Sequence, residues 1–486
     1  MLLDALVDWR QSSLFLNPSI HRVSTHKFTT ISASSPESKY FQNYESQEWF
    51  HALPMDKEVD STPITQSLFF YSPDIHTGTK VDLASSLLHF NQSLMLSSIS
   101  GPLPSYYHSP FPILKRFNHS SQSPQLVYPK KLIVSRRTPI NAQSEADLKY
   151  IFNHTSHHPL FRQVDAVICM FYPGQCQLFI PFNKTVVFVP AHRFLLQRCS
   201  PRSVHNLMYW MFSNVSNVIV RAASVYDAEY INYYTGRTVP VIQSSSLFAY
   251  SSPTTFNPSF EEVLVGPFKS VDVPFLTNLT NACIRNGYSC SFTTVLTKLG
   301  RSWKWEDLPK FKAIIVFPYA VLSYYLNDIF ASCVPLFVPS PQFLLSLHIL
   351  TDSRNSDEVY CGRYFVPPPR HPNSRHLYDP ENPSNLARLY WLRFASFYSP
   401  ATVQFDSWDD LVRKLHSTNL TEMFLKRKKE NEQVRNHNTN EWKQLLREIS
   451  VNRSIPASYQ EALRLFQVES FFTFSVCNKH SKPLET

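Results

Sequence analysis

The chain has 486 residues, enough for two or three domains, because single hydrophobic cores stop growing well below that length. Only eight residues are glycine, and neither GxGxxG nor GxxxxGK[ST] occurs, which excludes the common dinucleotide-binding and P-loop motifs. The net charge is +9, but the one dense basic run, Lys426 to Lys429, is followed by Glu430 and Glu432, so no nucleic-acid partner is predicted.

The first residues differ in character from those that follow. Residues 1–62 are rich in Ser, Thr and His without steady periodicity, which predicts an N-terminal stem or extension. Residues 1–20 contain Asp4, Asp8 and Arg10 and no apolar segment of signal-peptide length. If this N-terminus is genuine, the sequence predicts a cytoplasmic protein.

Eight N-glycosylation sequons favour the opposite location, the lumen of the ER or Golgi. They stand at Asn91, Asn118, Asn153, Asn183, Asn214, Asn278, Asn419 and Asn452. A membrane anchor preceding the given residues would reconcile the two observations and would associate the protein with a membrane. Among the eight cysteines, Cys283 and Cys290 stand seven apart, a spacing that permits a disulfide without requiring one.

Residues 63–245 are predicted to form a first α/β domain. An apolar run at 67–71, a turn at 72–79, apolar residues at helical spacing from Val81 to Leu88, and a second run at 94–99 indicate a strand-helix-strand unit. Further strands are predicted at 131–135, 165–171, 185–190, 217–221 and 239–242, and helices at 203–213 and 226–234. This alternation is typical of a mainly parallel sheet with helices on both faces.

A linker at 246–259 precedes a second domain at 260–415, and residues 416–486 are predicted to form a C-terminal helical tail. Strands are predicted at 262–267, 289–292, 313–317 and 335–339, helices at 276–286, 322–332 and 409–415, and mostly loops between 340 and 409. The predicted fold is therefore α/β, with two Rossmann-like doubly wound domains facing a cleft. Ligands of such sheets bind beyond the carboxyl ends of the strands.

One carboxylate stands inside an otherwise apolar helix. Asp328 lies seven residues before Pro335, which opens the next strand, and an unpaired buried carboxylate is costly. Two ribose hydroxyls would satisfy its oxygens, and the helix N-terminus near Ser323 would offer N–H groups to a diphosphate. The alternative is that Asp328 faces solvent or caps a loop, and the pattern leaves both open.

The segment from Asp328 to Pro339 resembles the nucleotide-binding segment of GT-B glycosyltransferases, in which an acidic residue precedes a small-residue turn and a proline-flanked strand. The stretches 74–79, 183–187, 191–193, 226–236 and 405–411 are similar, in order and spacing, to a group of eukaryotic GT-B-like proteins. The resemblance implies that Asp328 grips the ribose of a nucleotide-sugar donor. Pro335 and Ser340 would shape the pocket. Tyr319, Ser323 and Lys269 are the other residues predicted in the donor site, and an ordinary surface lysine is the alternative for Lys269.

In a GT-B arrangement the loop after the first strand faces the cleft, which makes His76 a candidate general base for an acceptor hydroxyl. Thr77, Gly78, Thr79 and Arg193 are the other residues predicted on the acceptor side. The alternative is a turn histidine, with Gly78 supplying the backbone shape. Lys269 would offset the negative charge that the diphosphate gains as it leaves the sugar.

No strict DxD motif occurs, and Asp227 and Glu229 lie at a helix start, where carboxylates are favoured for structural reasons. No metal and no cofactor are therefore predicted. The predicted function is transfer of a sugar from a UDP- or GDP-linked donor to a hydroxyl of a glycan, lipid or protein acceptor. A GT-B-shaped protein that binds a glycan or a partner without catalysis is the alternative.

Overall fold

A computed structural model describes part of the first predicted domain and most of the second. The described residues are 63–64, 67–73, 77–96, 126–127, 159–170, 176, 179–180, 182, 184–191, 208, 211–212, 217–247, 249, 256–266, 273–300, 303–318, 321, 324–347 and 368–451. The predicted stem at 1–62 and the predicted strand at 131–135 lie outside them.

The strands of this part of the chain are β1 (Phe69–Ser72), β2 (Ser93–Leu96), β3 (Leu126–Val127), β4 (Ala166–Cys169), β5 (Thr185–Phe188), β6 (Val218–Val220), β7 (Phe260–Val265), β8 (Phe292–Thr293), β9 (Phe311–Ile315), β10 (Leu336–Pro339) and β11 (Thr402–Phe405). The α-helices are α1 (Thr77–His89), α2 (Pro159–Gln163), α3 (Val225–Thr235), α4 (Val273–Arg285), α5 (Val295–Leu299), α6 (Tyr324–Ala331), α7 (Pro341–Ser346), α8 (Asn385–Leu392), α9 (Trp408–Ser417) and α10 (Leu420–Val451). A 3-10 helix at Trp305–Lys310 leads into β9. No helix of the described residues is both long and apolar enough to cross a membrane.

The strands form two parallel sheets. The first has the order β3-β2-β1-β4-β5-β6 and the second the order β11-β10-β9-β7-β8, and each pairing between neighbours is parallel. These are the two strand orders of doubly wound α/β folds. The predicted fold class, two Rossmann-like α/β domains in series, is confirmed.

The inner strands form because their sequences are apolar on both faces, as parallel sheets covered by helices require. All four residues of β4, β5 and β10 are buried. In β11, by contrast, only Phe405 is buried. Among the strands of the described residues, β11 lies at the edge of the second sheet and pairs with β10 alone.

The expectation of loops between 340 and 409 is wrong where α7, α8 and β11 form. The sequence does not predict β11 because this strand lies at the edge of the sheet, and an edge strand needs no continuous apolar run. The strand predicted at 239–242 is reduced to a single bridge between Val241 and Ala222.

Two segments that follow β10 along the chain pack against the first domain. Tyr390, Trp391 and Phe394 pack in one core of the first domain, together with residues such as Tyr226. Helix α10 has 32 residues, which corresponds to a length of about 48 Å. Its first turns place Met423 in the core under the second sheet, and its last turns place Leu446 and neighbouring apolar residues in the core under the first. The region predicted as a C-terminal tail thus packs against both sheets. The predicted limits of the domains stay predictions.

Two disulfides are present among the described cysteines, Cys169–Cys176 and Cys283–Cys290, each spanning a sequence separation of seven. The Cys283–Cys290 bond joins the two cysteines for which the sequence analysis allows a disulfide. Cys333 is a free, buried thiol.

We expect the Cys169→Ala/Cys176→Ala double variant to lose about 2–3 kcal/mol of unfolding free energy, because the bond removes loop-closure entropy from the unfolded chain. Urea unfolding measures the loss. The Cys333→Ala variant, which breaks no disulfide, serves as the control for replacing a buried sulfur. An unfolding midpoint that matches the parent's would contradict the expectation.

Candidate functional site

The strand order locates the crevices in which doubly wound sheets bind ligands. The order reverses between β1 and β4 in the first sheet and between β7 and β9 in the second. Three predicted site residues follow these strands directly along the chain: His76 after β1, Lys269 after β7 and Tyr319 after β9. These three residues, together with Ser323 and Arg193, lie outside the described residues, so their roles stay predictions.

Helix α1, which follows β1, is the first element of the site that the structure describes. Its residues from Gly78 to Leu88 are all buried, and the polar side chains of Thr79, Lys80 and Asp82 are buried with them. Val81 packs in a core formed largely by the second domain. The helix is therefore enclosed between the two domains. Thr79, predicted on the acceptor side, has no exposed surface here.

Two carboxyl groups from different domains meet at one serine. Asp82 on α1 accepts a hydrogen bond from the Ser246 backbone N–H at 3.0 Å. The Ser246 hydroxyl donates to Asp328 Oδ1 on α6 at 2.6 Å. All three residues are at most 2% exposed. We call Asp82, Ser246 and Asp328 the carboxyl junction.

The segment that carries Ser246 is held from a third side. Asn438 of α10 accepts from the Gln243 N–H at 3.1 Å and donates to the Gln243 carbonyl at 2.7 Å. The Ser246 backbone itself has a φ of 43°, in the left-handed region that side chains rarely adopt. Segment 243–247 is thus fixed against α1, α6 and α10 at once.

Burial dominates the electrostatics of the junction. It raises the pKa of Asp82 to about 6, against the opposing effect of hydrogen bonds from Ser246, Ser244 and Ser245. Burial also raises the pKa of Asp328 well above its usual range; the Ser246 hydrogen bond opposes this rise, and the nearby charge of Asp82 adds to it. Both shifts favour the neutral form of the carboxyl group.

Helix α6 buries further polar atoms that lack partners. Asp328 Oδ2 and both side-chain atoms of Asn327, Nδ2 and Oδ1, have no hydrogen-bond partner among the described residues. Asn327 is 4% exposed and lines a small pocket between segment 243–245, α6 and Arg427 of α10. Buried polar atoms without partners are costly and call for an explanation. Here three such atoms belong to two consecutive residues.

The two remaining described residues of the predicted donor site flank β10. The Pro335 carbonyl accepts from the Ile314 N–H of β9 at 2.9 Å, which ties the start of β10 to its neighbour. The Ser340 hydroxyl accepts from the Phe343 N–H at 3.3 Å and caps α7. Both have defined structural partners, and the structure leaves their predicted contact with a donor untested.

Sequence reasoning missed Asp82 and Ser246. Asp82 stands in an apolar stretch of α1, the same signal that singled out Asp328, so a consistent search for carboxylates within apolar helices would have found it. Ser246 carries no such signal. It is one of three consecutive serines, and its position is set by contacts with residues 82 and 164 positions away along the chain.

Another buried carboxylate, Glu229 on α3, ties the segment 370–394 to the first domain. It accepts from Arg375 Nε at 2.8 Å and also from Arg375 Nη2, and it lies 2.7 Å from His376 Nε2. His376 Nδ1 lies 2.9 Å from the hydroxyl of Tyr390. Asp227, its neighbour on α3, accepts from the Ser224 hydroxyl at 2.5 Å. Both acidic residues of α3 have protein partners, as the structural interpretation predicts.

Burial alone raises the pKa of Glu229, but the hydrogen bonds and charges of His376 and Arg375 outweigh it and leave that pKa lowered. Within the described ranges, no three or more His, Cys, Asp or Glu side chains lie close enough together to hold a metal ion.

No family model matches the chain, and no curated protein matches it in sequence. Solved structures are similar to it at low identity. The glycosyltransferase SnogD from Streptomyces nogalater is 12% identical, with 78% of this chain and all of SnogD covered and a TM-score of 0.39. The spinosyn forosaminyltransferase SpnP is 10% identical, with 79% of this chain and all of SpnP covered and a TM-score of 0.37.

The glycotransferase of kitacinnamycin is also 10% identical, with 80% of this chain and all of that chain covered and a TM-score of 0.36. At this level of likeness, the fold assignment rests on the strand order of the chain itself.

Proposed function

We propose that the chain transfers a sugar from a nucleotide-diphosphate donor to a hydroxyl group, with Asp328 holding the ribose of the donor. The observation that carries the proposal is a set of three buried polar atoms on Asn327 and Asp328 that have no hydrogen-bond partner within the described part of the chain. They lie on α6, the helix that follows the switch-point strand β9, and doubly wound sheets bind nucleotides beyond such strands. A ribose diol, in which each hydroxyl both donates and accepts, would satisfy these atoms.

The chemistry follows from this placement. The acceptor oxygen would form a bond to the anomeric carbon, and the bond from that carbon to the diphosphate would break, with the diphosphate leaving with the electron pair. His76, after β1, would take the proton from the acceptor hydroxyl. Lys269, Tyr319 and Ser323 would contact the diphosphate, where a cation and helix N–H groups offset the developing charge without a metal.

Saturation-transfer NMR with UDP and GDP tests the donor site. We expect signal from one of the two nucleotides in the parent, and a tenfold to hundredfold weaker affinity in Asp328→Asn, since hydrogen bonds to a charged or neutral carboxyl contribute about 1–3 kcal/mol. Asn keeps the size of Asp and the acceptor for Ser246, so the variant is expected to fold.

Asp227→Asn is the matched control, because Asp227 is also a buried aspartate that accepts from a serine hydroxyl, but on α3. It should bind the nucleotide as the parent does. Absence of nucleotide signal from the parent at millimolar concentration would refute the proposal.

A second function has an observation in its favour. Asp328 is 1% exposed and Ser246 already occupies its Oδ1, so the carboxyl is held as an interdomain contact. This favours a protein of the same shape that binds a glycan or a partner without transfer. Binding of an oligosaccharide without binding of UDP, GDP or their sugars is the result that would establish it.

We also propose that the chain belongs to the secretory pathway, in the lumen of the ER or Golgi. The two disulfides support this proposal, because such bonds form and persist in oxidising compartments and are rare in the cytosol.

A further inference from the structure

We infer that Asn91, Asn278 and Asn419 carry N-linked glycans. Each begins an Asn-X-Ser/Thr sequon, completed by Ser93, Thr280 and Thr421 respectively. Each of the three asparagines is exposed. Five further sequons begin at asparagines outside the described residues, and the inference does not extend to them.

The side chains leave the reacting nitrogen accessible. Asn419 caps α10 through its oxygen, Oδ1, which accepts from the Glu422 N–H at 3.1 Å. Asn278 lies on the outer face of α4, and its neighbour Leu279 is buried on the inner face. Asn91 occupies the turn between α1 and β2 with a φ of 56°, a left-handed conformation that asparagine tolerates better than most residues.

The reaction needs an oligosaccharide linked to a lipid pyrophosphate as its second substrate. Asn Nδ2 forms a bond to the anomeric carbon of the first sugar and loses one proton. The bond between that carbon and the lipid pyrophosphate breaks, and the pyrophosphate leaves with the electron pair. This modification takes place in the secretory pathway, so the inference rests on the proposed compartment and not on the proposed sugar transfer.

The disulfides supply an independent observation for that compartment. Cys283 lies on α4, five residues after Asn278, and is bonded to Cys290. A chain that forms both Cys283–Cys290 and Cys169–Cys176 folds where thiols are oxidised, which is also where sequons meet the glycosylation machinery.

The positions in the fold leave the predicted ligand crevices free. Asn91 precedes β2, at the amino end of the first sheet. Asn419 follows α9, which itself follows β11, and so lies toward the amino end of the second sheet. Ligands of these sheets bind at the carboxyl ends. Glycans at these two positions therefore point away from a donor site, and their removal is expected to leave nucleotide affinity unchanged.

The chain contains its own negative controls. Asn257 and Asn382 are exposed and are followed by Pro-Ser, and proline in the second position disqualifies a sequon. Asn436 is exposed on α10 without Ser or Thr two residues later. None of these three is expected to be modified.

The test begins with the full chain purified from its own cells. Peptide N-glycosidase in heavy-oxygen water converts each glycosylated asparagine to a labelled aspartate, which peptide mass spectrometry locates. We expect label at Asn91, Asn278 and Asn419 and none at Asn257 and Asn382. An unlabelled asparagine at any of the first three positions overturns the assignment for that position, and absence of label from all three overturns the inference.

Sequon variants confirm the sites without touching the asparagines. Thr280→Ala and Thr421→Ala should each remove one glycan's mass from the chain, while Asn436→Gln should remove none. UDP and GDP binding is measured on the same preparation. A glycosylated chain that binds neither nucleotide keeps this inference and refutes the transferase proposal, and an unglycosylated chain that binds one does the reverse.

Discussion

The Asp82→Asn variant is expected to gain about 2–3 kcal/mol of stability relative to the parent as the pH rises from about 4 to 7, since each unit of pKa shift corresponds to about 1.4 kcal/mol. In the folded parent the pKa of Asp82 is raised from 3.8 to about 6. A group with a raised folded pKa contributes its full stability below the unfolded value and loses it as the pH rises through the folded value. The asparagine variant does not titrate and escapes this loss.

Urea unfolding of both proteins at several pH values between 4 and 7 measures the difference. The amide introduced by Asp82→Asn keeps an acceptor for the Ser246 N–H, so any constant cost of the replacement shifts the whole profile without changing its slope. Asp406→Asn, at an exposed residue after β11, is the control and should follow the parent. If the unfolding free energies of the parent and of Asp82→Asn changed equally with pH, the raised pKa of Asp82 would not be the cause of the expected loss of stability.

The Glu229→Ala variant is expected to lose about 3 kcal/mol of unfolding free energy at pH 7, because removing one partner of a buried polar network leaves the others unsatisfied. His376 is 1% exposed and would lose its carboxylate partner. Arg375, whose side chain is 52% exposed, would be rehydrated at little cost. Thermal and urea unfolding measure the loss.

The pH dependence of the unfolding free energy provides a second test of the role of Glu229. Its folded pKa is lowered, so its stabilising contribution is present above the unfolded pKa and is lost as the pH falls through the folded one. The gap between parent and Glu229→Ala should therefore narrow below about pH 4, near the ordinary pKa of a free carboxylate. Arg375→Ala, which removes only the exposed partner, should cost less than about 1 kcal/mol. Equal losses in the two variants would contradict this account.

Local patterns were sufficient for most of the fold. The inner strands β4, β5 and β10 are continuous apolar runs because helices cover both of their faces, and such runs are visible in the sequence. The edge strand β11 was missed because only Phe405 is buried. Helix α10 was predicted as a helix, but its role was not, because a helix pattern does not say which core receives its apolar residues.

The candidate site shows the same limit. Asp328 could be singled out because a carboxylate in an apolar helix requires a partner, but the identity of that partner depends on contacts far apart in sequence. Ser246 and Asp82 are 82 and 246 residues away from it. Arg375 and His376, which bind Glu229, fall in a stretch predicted as loops, where no periodicity marks a buried histidine.

The packing of α10 against both sheets has a consequence for how the protein unfolds and how it responds to cleavage. Its first turns are embedded beneath one sheet and its last turns beneath the other, and the segment around Trp391 makes a second crossing in the same direction. Among the described residues, the cores of the first sheet include Trp391 and Leu446 from the C-terminal half, and a core of the second domain includes Val81 from the N-terminal half. A cut within the linker at 246–259 should leave two fragments that remain associated, and heating should unfold both halves in a single cooperative transition.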